Sequence, residues 1–326
     1  MTLPTSTSPA PDFKDRRVGL IVFGILVILL GCLCALIVPL MFVSQAFTAK
    51  HTGGAVSYRM IIPAVMIYGG MAVVFIWLGI GSVLCRRWAR ALLLVLSWCW
   101  LVIGIMSMVA MAFLLPQILA DSLPEGQKLP EAARWIMAAT MAGTLGCIYF
   151  VLPGGLVLFY RSRHVKATCD ARDPVRRWTD ACPLPVLAVS LMLAFGALSM
   201  LSMPLAYNSI MPFFGRLISG APATVFCLVI TSLMAWTAWA NYRLEPAAWW
   251  VTAALFAVMM VSAALTFARI DLIEMYRQMG FPPDQIAQME KFSFLRDRSA
   301  VWWMSLSGVP FFGYLIWVKR YFRRAA

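Results

Sequence analysis

The sequence has few charged residues, and none of them falls at the centre of a long apolar stretch. Asp, Glu, Lys and Arg make up only 13% of the 326 residues, whereas 62% are apolar. Charged side chains at mid-membrane depth are costly and persist where they conduct ions or protons. Their absence argues against a proton-driven carrier, although backbone carbonyls and hydroxyl groups can still bind a sodium ion or a neutral solute.

Residues for catalysis and cofactor binding are equally scarce. The two histidines, His51 and His164, both lie in connectors, which argues against haem ligation by histidine within the membrane. The chain contains no GxSxG, HExxH or glycine-rich phosphate-binding motif. His164 with Cys169 and Cys182 could form a metal site, but their spacing matches no compact zinc pattern and a fourth ligand is missing. We therefore expect no enzymatic activity, no cofactor and no metal.

Eight stretches are long and apolar enough to cross a bilayer. Each reaches the roughly 20 residues that a helix needs to cross about 30 Å of hydrocarbon. Lipid offers no partner for backbone N–H and C=O groups, and the alternation of a barrel strand is absent, so the spans are expected to be helices. The sequence therefore predicts an all-α integral membrane protein, with spans at 18–47, 60–84, 91–115, 135–160, 184–207, 221–240, 247–267 and 300–318.

The positive charge lies in the connectors at the ends of these spans. Well over half of the 27 Lys and Arg residues fall on the side of the N-terminus. This bias predicts that both termini are cytoplasmic, in a multi-pass protein of the cell membrane, plasma or inner. Charge at membrane boundaries favours anionic lipid headgroups over nucleic acid as partners.

The first four spans resemble a diverged copy of the last four. Gly31 and Pro39 recur 165 residues later as Gly196 and Pro204, while Arg86 and Pro153 recur 157 residues later as Arg243 and Pro310. One gap of eight residues reconciles the two shifts. Because each half has an even number of spans, both insert the same way up, which predicts two tandem, parallel four-helix units. The repeated prolines indicate a shared bend, read as inherited architecture in preference to a hinge.

The chain divides accordingly into five segments. They are a disordered cytoplasmic tail (1–17), the first unit (18–160), a basic cytoplasmic linker (161–183), the second unit (184–318) with an extracytoplasmic cap (270–299), and a basic cytoplasmic tail (319–326). In the linker, the candidate contacts to anionic lipid are Arg161, Arg163, Lys166, Arg176 and Arg177. The alternative is that these residues only anchor the topology.

The predicted cap has the most distinctive polar sequence. Residues 270–279 look like the seventh helix continuing out of the membrane, and Gly280 ends that helix. Pro282, Pro283 and Asp284 then indicate the start of a short amphipathic helix. The cap is either a solvated cover or a docking surface whose candidate residues are Asp271, Glu274, Arg277, Asp284 and Glu290.

Small residues four apart are the remaining pattern. Ala139, Gly143 and Cys147 would share one helix face and let another helix approach closely. Packing within the chain is the favoured interpretation, and association with a second molecule is the alternative.

The most economical function is non-catalytic. We expect an interaction, assembly or accessory subunit of a membrane complex, with a protein partner or a second copy in the membrane. The alternative is a transporter or channel for an uncharged or weakly polar solute between the two units. That alternative requires a mid-depth cavity lined by groups such as Cys32, Tyr149, Ser199, Ser202 or Asn208.

Overall fold

The computed structural model describes residues 13–52, 61–121, 130–206, 210–281, 283–292 and 299–322. These residues are overwhelmingly helical, and the all-α membrane class predicted from the sequence is confirmed. Seven helices in the described part of the chain are long and apolar enough to cross a membrane. The tail residues 1–12 and 323–326 lie outside the described ranges.

The helices follow the apolar runs closely. In chain order they are α1 (Arg17–Thr52), α2 (Ile62–Val83), α3 (Arg87–Asp121), α4 (Glu131–Gly146), a π-helical turn (Cys147–Val151), α5 (Leu152–Arg161), α6 (Arg163–Arg172), a 3-10 turn (Trp178–Asp180), α7 (Leu184–Ala206), α8 (Gly220–Tyr242), α9 (Pro246–Phe267), α10 (Leu272–Gln278), α11 (Pro283–Glu290) and α12 (Ser299–Phe322). Two strands, β1 (Met211–Phe213) and β2 (Arg216–Ile218), lie between α7 and α8.

One end of the bundle gathers the start of α1, the two turns α2–α3 and α8–α9, and the segment 161–183. We call this end the basic side, and the end with the strands, α10 and α11 the cap side.

The four proline positions of the proposed repeat differ in their effect. Pro39, Pro204 and Pro310 lie inside α1, α7 and α12, and each of these helices continues past its proline. Pro153 instead follows the π-helical turn, where the Leu152 amide donates to the Cys147 carbonyl five residues back. A proline cannot donate to the helical ladder, and a wider turn before it accommodates the missing bond.

The helix pairs α1–α2 and α7–α8 pack at glycines. A Cβ atom added to Gly24 would lie 2.9 Å from the Gly79 carbonyl oxygen, so the two backbones nearly touch. Gly31 faces Ile76 on α2, where an added Cβ would lie 2.7 Å from the Ile76 side chain. Gly196 on α7 likewise faces Met234 on α8. Small residues permit this approach, which gains dispersion contacts that lipid does not supply.

The turns α2–α3 and α8–α9 have the same hydrogen bonds. In the first, the amides of Leu84, Cys85 and Arg86 donate to the carbonyls of Ile80, Ser82 and Gly81. In the second, the amides of Arg243, Leu244 and Glu245 donate to the carbonyls of Trp239, Asn241 and Ala240. Cys85 and Leu244 are both left-handed, with φ of 55° and 63°. The turns therefore superpose with a shift of 159 residues, which places Arg86 opposite Glu245 and not opposite Arg243.

One apolar core joins the two proposed units on the basic side. It includes Leu20 and Phe75 from the first unit, Cys169 from the linker, and Leu187 and Leu315 from the second unit. The Tyr314 hydroxyl donates to the Pro185 carbonyl at 2.8 Å, and the Trp249 indole donates to the Leu315 carbonyl at 2.7 Å. These two bonds fasten α12 to α7 and α9.

A β-hairpin on the cap side was not predicted from the sequence. Its strands pair antiparallel, with Phe213 opposite Arg216, around a two-residue turn at Phe214 and Gly215. Both turn residues have positive φ (42° and 92°), as a type I′ turn requires. The amides of Phe214 and Gly215 each donate, at 3.0 Å, to the hydroxyls of Ser262 and Thr266 on α9. The hairpin is thereby docked against a transmembrane helix.

The predicted extension of the seventh span over 270–279 is wrong. The helix α9 ends at Phe267, and a separate helix, α10, begins after Asp271. The Asp271 carboxylate accepts from the Glu274 amide at 2.7 Å, so this residue caps a new helix and does not lie within the old one. Gly280 follows α10 with φ of 83°, in agreement with its predicted role, and α11 begins at Pro283.

Candidate functional site

The segment 161–183 is an ordered part of the fold and not a loose connector. It contains α6 and the 3-10 turn, and Val165, Thr168 and Cys169 on α6 are buried. The Arg16 amide donates to the Thr168 hydroxyl at 3.0 Å, and the Lys14 amide donates to His164 Nδ1 at 3.3 Å. The segment therefore docks on the basic side and holds the start of α1.

Asp173 is the centre of the charged network in this segment. It is only 2% exposed, and its carboxylate accepts from the Arg177 guanidinium at 3.1 Å and the Arg87 amide at 3.3 Å. Arg86 lies 3.7 Å away. Burial raises the pKa of Asp173, but the hydrogen bonds from Arg177 and the Arg87 amide outweigh it, so the pKa is lower than usual. The carboxylate lies near the surface but is screened from solvent by the arginines.

A second set of ion pairs joins α3 to the linker. Arg87 Nε lies 3.1 Å from Asp170 on α6 and 3.5 Å from Asp180 in the 3-10 turn. Asp180 also accepts from the Arg177 amide at 3.0 Å. Arg87 thus bridges two elements that the sequence separates from it by more than 80 residues.

A cavity of about 250 Å³ opens beside this second set of ion pairs. Its walls come from the first turn of α3, from α6, from the 3-10 turn and from the start of α7. The lining residues are Arg87, Arg90, Ala91, Lys166, Asp170, Thr179, Asp180, Cys182 and Leu184.

The cysteines of the linker are thiols buried in this region. Burial raises the pKa of Cys169 to about 12 and that of Cys182 to about 11. A thiol must lose its proton to bind a metal, and these environments oppose that loss. In the described part of the chain, no three His, Cys, Asp or Glu side chains are grouped closely enough to hold a metal ion.

The five candidate lipid contacts fall into two groups. Arg161, Arg163, Lys166 and Arg176 are exposed on the basic side. Arg177 is partly buried and paired with Asp173, so it serves the internal network. Lys166 additionally lines the cavity.

The charges of the cap satisfy one another. Arg277 lies 2.6 Å from Glu274 and 3.1 Å from Glu290, which ties α10 to α11. The Gln278 amide donates to Glu274 at 3.0 Å, and the hydrogen bonds from Gln278 and Arg277 lower the pKa of Glu274. The side chain of Asp284, and residues 282 and 293–298, lie outside what the structure describes. Four of the five candidate docking residues therefore have a partner within the cap.

The candidate residues for a mid-depth solute cavity have separate settings. Cys32 is exposed on the outside of α1. The Ser202 hydroxyl donates to the Ser199 carbonyl of its own helix at 2.6 Å. The carbonyl oxygen of Tyr149 lies against Gly104 on α3. Asn208 is outside the described residues.

The small-residue face on α4 is open. Ala139, Gly143 and Cys147 are exposed, and a Cβ added to Gly143 would meet nothing within 4 Å. The favoured interpretation, that these residues pack within the chain, is therefore wrong for this helix. None of the described side chains of α4 and the following π-helical turn is buried.

The chain was also compared with known proteins. No protein-family model, curated protein or solved structure matches it. The geometry above is therefore the basis for a functional proposal.

Proposed function

We propose that this chain is a non-catalytic multi-pass membrane protein that acts as an interaction, assembly or accessory subunit of a membrane complex. Its partner would contribute an apolar transmembrane helix, and it would bind on the cap-side half of the first unit.

The observation that carries this proposal is the uneven cover of the first unit. On the basic side its helices share the common core, which contains residues such as Leu20, Phe75 and Leu93. Towards the cap side, no described side chain of α1 after Cys34 is buried, and on α3 after Ser97 only Gly104 is. Together with α4, these segments leave an apolar surface on which a second helix would gain close packing.

The packing between the two units favours a scaffold over the alternative, a carrier. Val186, Val189 and Leu193 on α7 belong to the same core cluster as Leu92 and Leu93 on α3. A carrier requires a solute site at such an interface, whereas an accessory protein is stabilised by filling it. The transporter or channel for an uncharged solute therefore remains the alternative, without a cavity to support it among the residues named above.

The topology that goes with this function has eight spans, in two tandem units, with both termini cytoplasmic in the cell membrane. Support for the eighth span comes from α12, whose 24 residues extend about 36 Å. Lys319 near its end lies 4.3 and 4.0 Å from the rings of Trp249 and Trp250, as expected of an interfacial anchor. The matching inner turns support the duplication, and the Lys and Arg bias supports the orientation.

The test is affinity purification in mild detergent with the substitution Gly143→Leu. A leucine there fills the open face of α4 without meeting any atom of the chain. Gly313→Leu on α12 is the matched control, because that glycine also has nothing within 4 Å of an added Cβ. We expect a stoichiometric partner, or a second copy, that Gly143→Leu loses and Gly313→Leu retains.

Two results would overturn the proposal in different ways. Retention of the partner by both variants would exclude the α4 surface. A wild-type protein that purifies alone as a monomer would exclude the subunit function itself, and solute uptake into liposomes would then test the carrier.

A further inference from the structure

The cavity on the basic side has a polar wall and an apolar edge. Arg90 lies in the first turn of α3, Lys166 on α6 and Thr179 in the 3-10 turn. Ala91 and Leu184, at the starts of α3 and α7, supply the apolar part. Its volume of about 250 Å³ is far more than one water molecule needs.

The charges in this cavity do not balance. Its two carboxylates, Asp170 and Asp180, are both within ion-pair distance of Arg87. Arg90 and Lys166 also line the cavity, and neither forms an ion pair with any residue that the structure describes. Three cations against two carboxylates leave a net positive site, which attracts an anion and repels a second cation.

Two buried donors at the cavity wall also lack partners. Thr179 is 2% exposed, and its hydroxyl has no hydrogen-bond partner among the described residues. The same is true of Arg90 Nε. Buried polar groups are normally hydrogen-bonded, so unsatisfied donors in a cavity wall indicate an occupant that accepts hydrogen bonds. Neither group belongs to the Asp173 network.

The geometry points to a binding site for a phosphate group in this cavity, held by Arg90, Lys166 and Thr179. A phosphate presents several acceptor oxygens and one or two negative charges, which match a guanidinium, an ammonium and a hydroxyl. The group belongs either to the headgroup of an anionic lipid, whose chains would pass Ala91 and Leu184, or to a free phosphate. This site is independent of the partner surface on α4.

The test is equilibrium binding of ³²P-labelled orthophosphate to the purified full chain in a maltoside detergent. Dioctanoyl phosphatidic acid serves as the competing lipid headgroup. The variants are Arg90→Gln and Thr179→Val, with Arg176→Gln as control, since Arg176 is exposed in the same segment and does not line the cavity. Thr179→Val keeps the shape of the side chain, so it tests the site even where Arg90→Gln impairs folding.

We expect saturable binding that Arg90→Gln weakens about tenfold or more and Thr179→Val weakens about threefold, while Arg176→Gln stays within about twofold. Displacement by phosphatidic acid at lower concentration than by unlabelled phosphate identifies a lipid headgroup as the ligand. Displacement by phosphate alone identifies a free phosphate. Absence of saturable binding, or equal losses in Arg90→Gln and Arg176→Gln, would overturn the assignment.

Discussion

Asp173 offers the most direct way to test whether the segment 161–183 is integral to the fold. Asp173→Asn keeps the size of the side chain but removes its charge. A hydrogen bond to a charged group contributes about 1.5–3 kcal/mol, and the bond between Asp173 and Arg177 is of this kind. Arg177 is 37% exposed, and Arg86, at 3.7 Å, is 42% exposed, so solvent screens both. The amide oxygen retains a neutral bond, which leaves an expected cost of about 2 kcal/mol.

This cost is measurable through Cys169, which is fully buried on α6. A maleimide reaches the thiol only when the segment opens, and about 2 kcal/mol corresponds to roughly 30-fold faster labelling in Asp173→Asn. The exposed Cys32 and Cys147 are first replaced by serine, and the modified peptide is quantified by mass spectrometry.

Asp15→Asn is the matched control, because it removes a carboxylate from the same side of the bundle. Asp15 lies 2.9 Å from Arg172, but these side chains are 53% and 40% exposed. Exposed pairs contribute about 0–1 kcal/mol, so labelling of Cys169 should rise less than about fivefold. Equal acceleration in the two variants, or none in Asp173→Asn, would refute the argument that burial makes the Asp173 network stabilising.

The same carboxylate gives a pH dependence with a definite sign. The pKa of Asp173 is lower in the folded chain than in the unfolded one, because the hydrogen bonds from Arg177 and the Arg87 amide outweigh burial. Its stabilisation is therefore complete above the unfolded pKa of about 3.9 and is lost as the pH falls towards the folded value. Hydrogen exchange over 163–172, corrected for intrinsic rates, should accelerate below about pH 4 more steeply in the wild type than in Asp173→Asn.

Two further substitutions test contacts within the membrane bundle. Ser82→Ala should cost about 1–3 kcal/mol in a thermal unfolding assay, because the Tyr160 hydroxyl, 2.7 Å away and buried, loses its partner. Ser97→Ala, which removes only a bond to its own helix, should cost less than about 1 kcal/mol, and equal effects would contradict this account. Gly215→Ala should loosen the hairpin by about 1–3 kcal/mol, since φ is 92° and an added Cβ would lie 2.9 Å from Arg269. Unchanged hydrogen exchange over 211–218 would contradict that expectation.

The membrane helices were predictable because their cause is local. A span must be apolar along its whole length, and the backbone must satisfy its own hydrogen bonds, so the apolar run alone defines the helix. The predicted spans 60–84, 221–240 and 247–267 correspond to Ile62–Val83, Gly220–Tyr242 and Pro246–Phe267. Their ends differ by one or two residues.

The elements that sequence reasoning missed depend on distant partners. The strands of the hairpin have three residues each, one of them Pro212, and the amides of the turn bond to hydroxyls on α9 about 50 residues away. The linker helix α6 is rich in charge and has few apolar residues, so its sequence resembles a solvated connector. Its place is fixed by Arg87 and Thr168, whose partners lie on other elements. Only the type I′ turn had a local signal, the glycine of Phe214-Gly215.

The candidate sites show the same division. That the cap would carry interleaved charges was evident from the sequence. That Arg277 bonds to both Glu274 and Glu290 was not, because the pairing depends on how α10 and α11 meet. Likewise, the positive charge of the linker was evident, but the cavity requires Arg90 from α3 and Thr179 from the 3-10 turn to come together across the fold.

The two inner turns provide stronger support for a duplication than the repeated prolines do. Within a helix, an error of two residues rotates a position by about 200°, so a match of isolated residues at 157 does not establish that they face equivalent partners. A turn has no such ambiguity, because each hydrogen bond identifies its own counterpart. With the resulting shift of 159, the buried Ser82 corresponds to the buried Asn241, and Ala89 to Ala248, both fully buried. Ser82 reaches the Tyr160 hydroxyl and Asn241 reaches the Thr252 hydroxyl. If the halves descend from one unit, its polar group after the second span was therefore kept while the partner helix changed, which explains why the alignment of residue types places the repeat two positions away from the backbone.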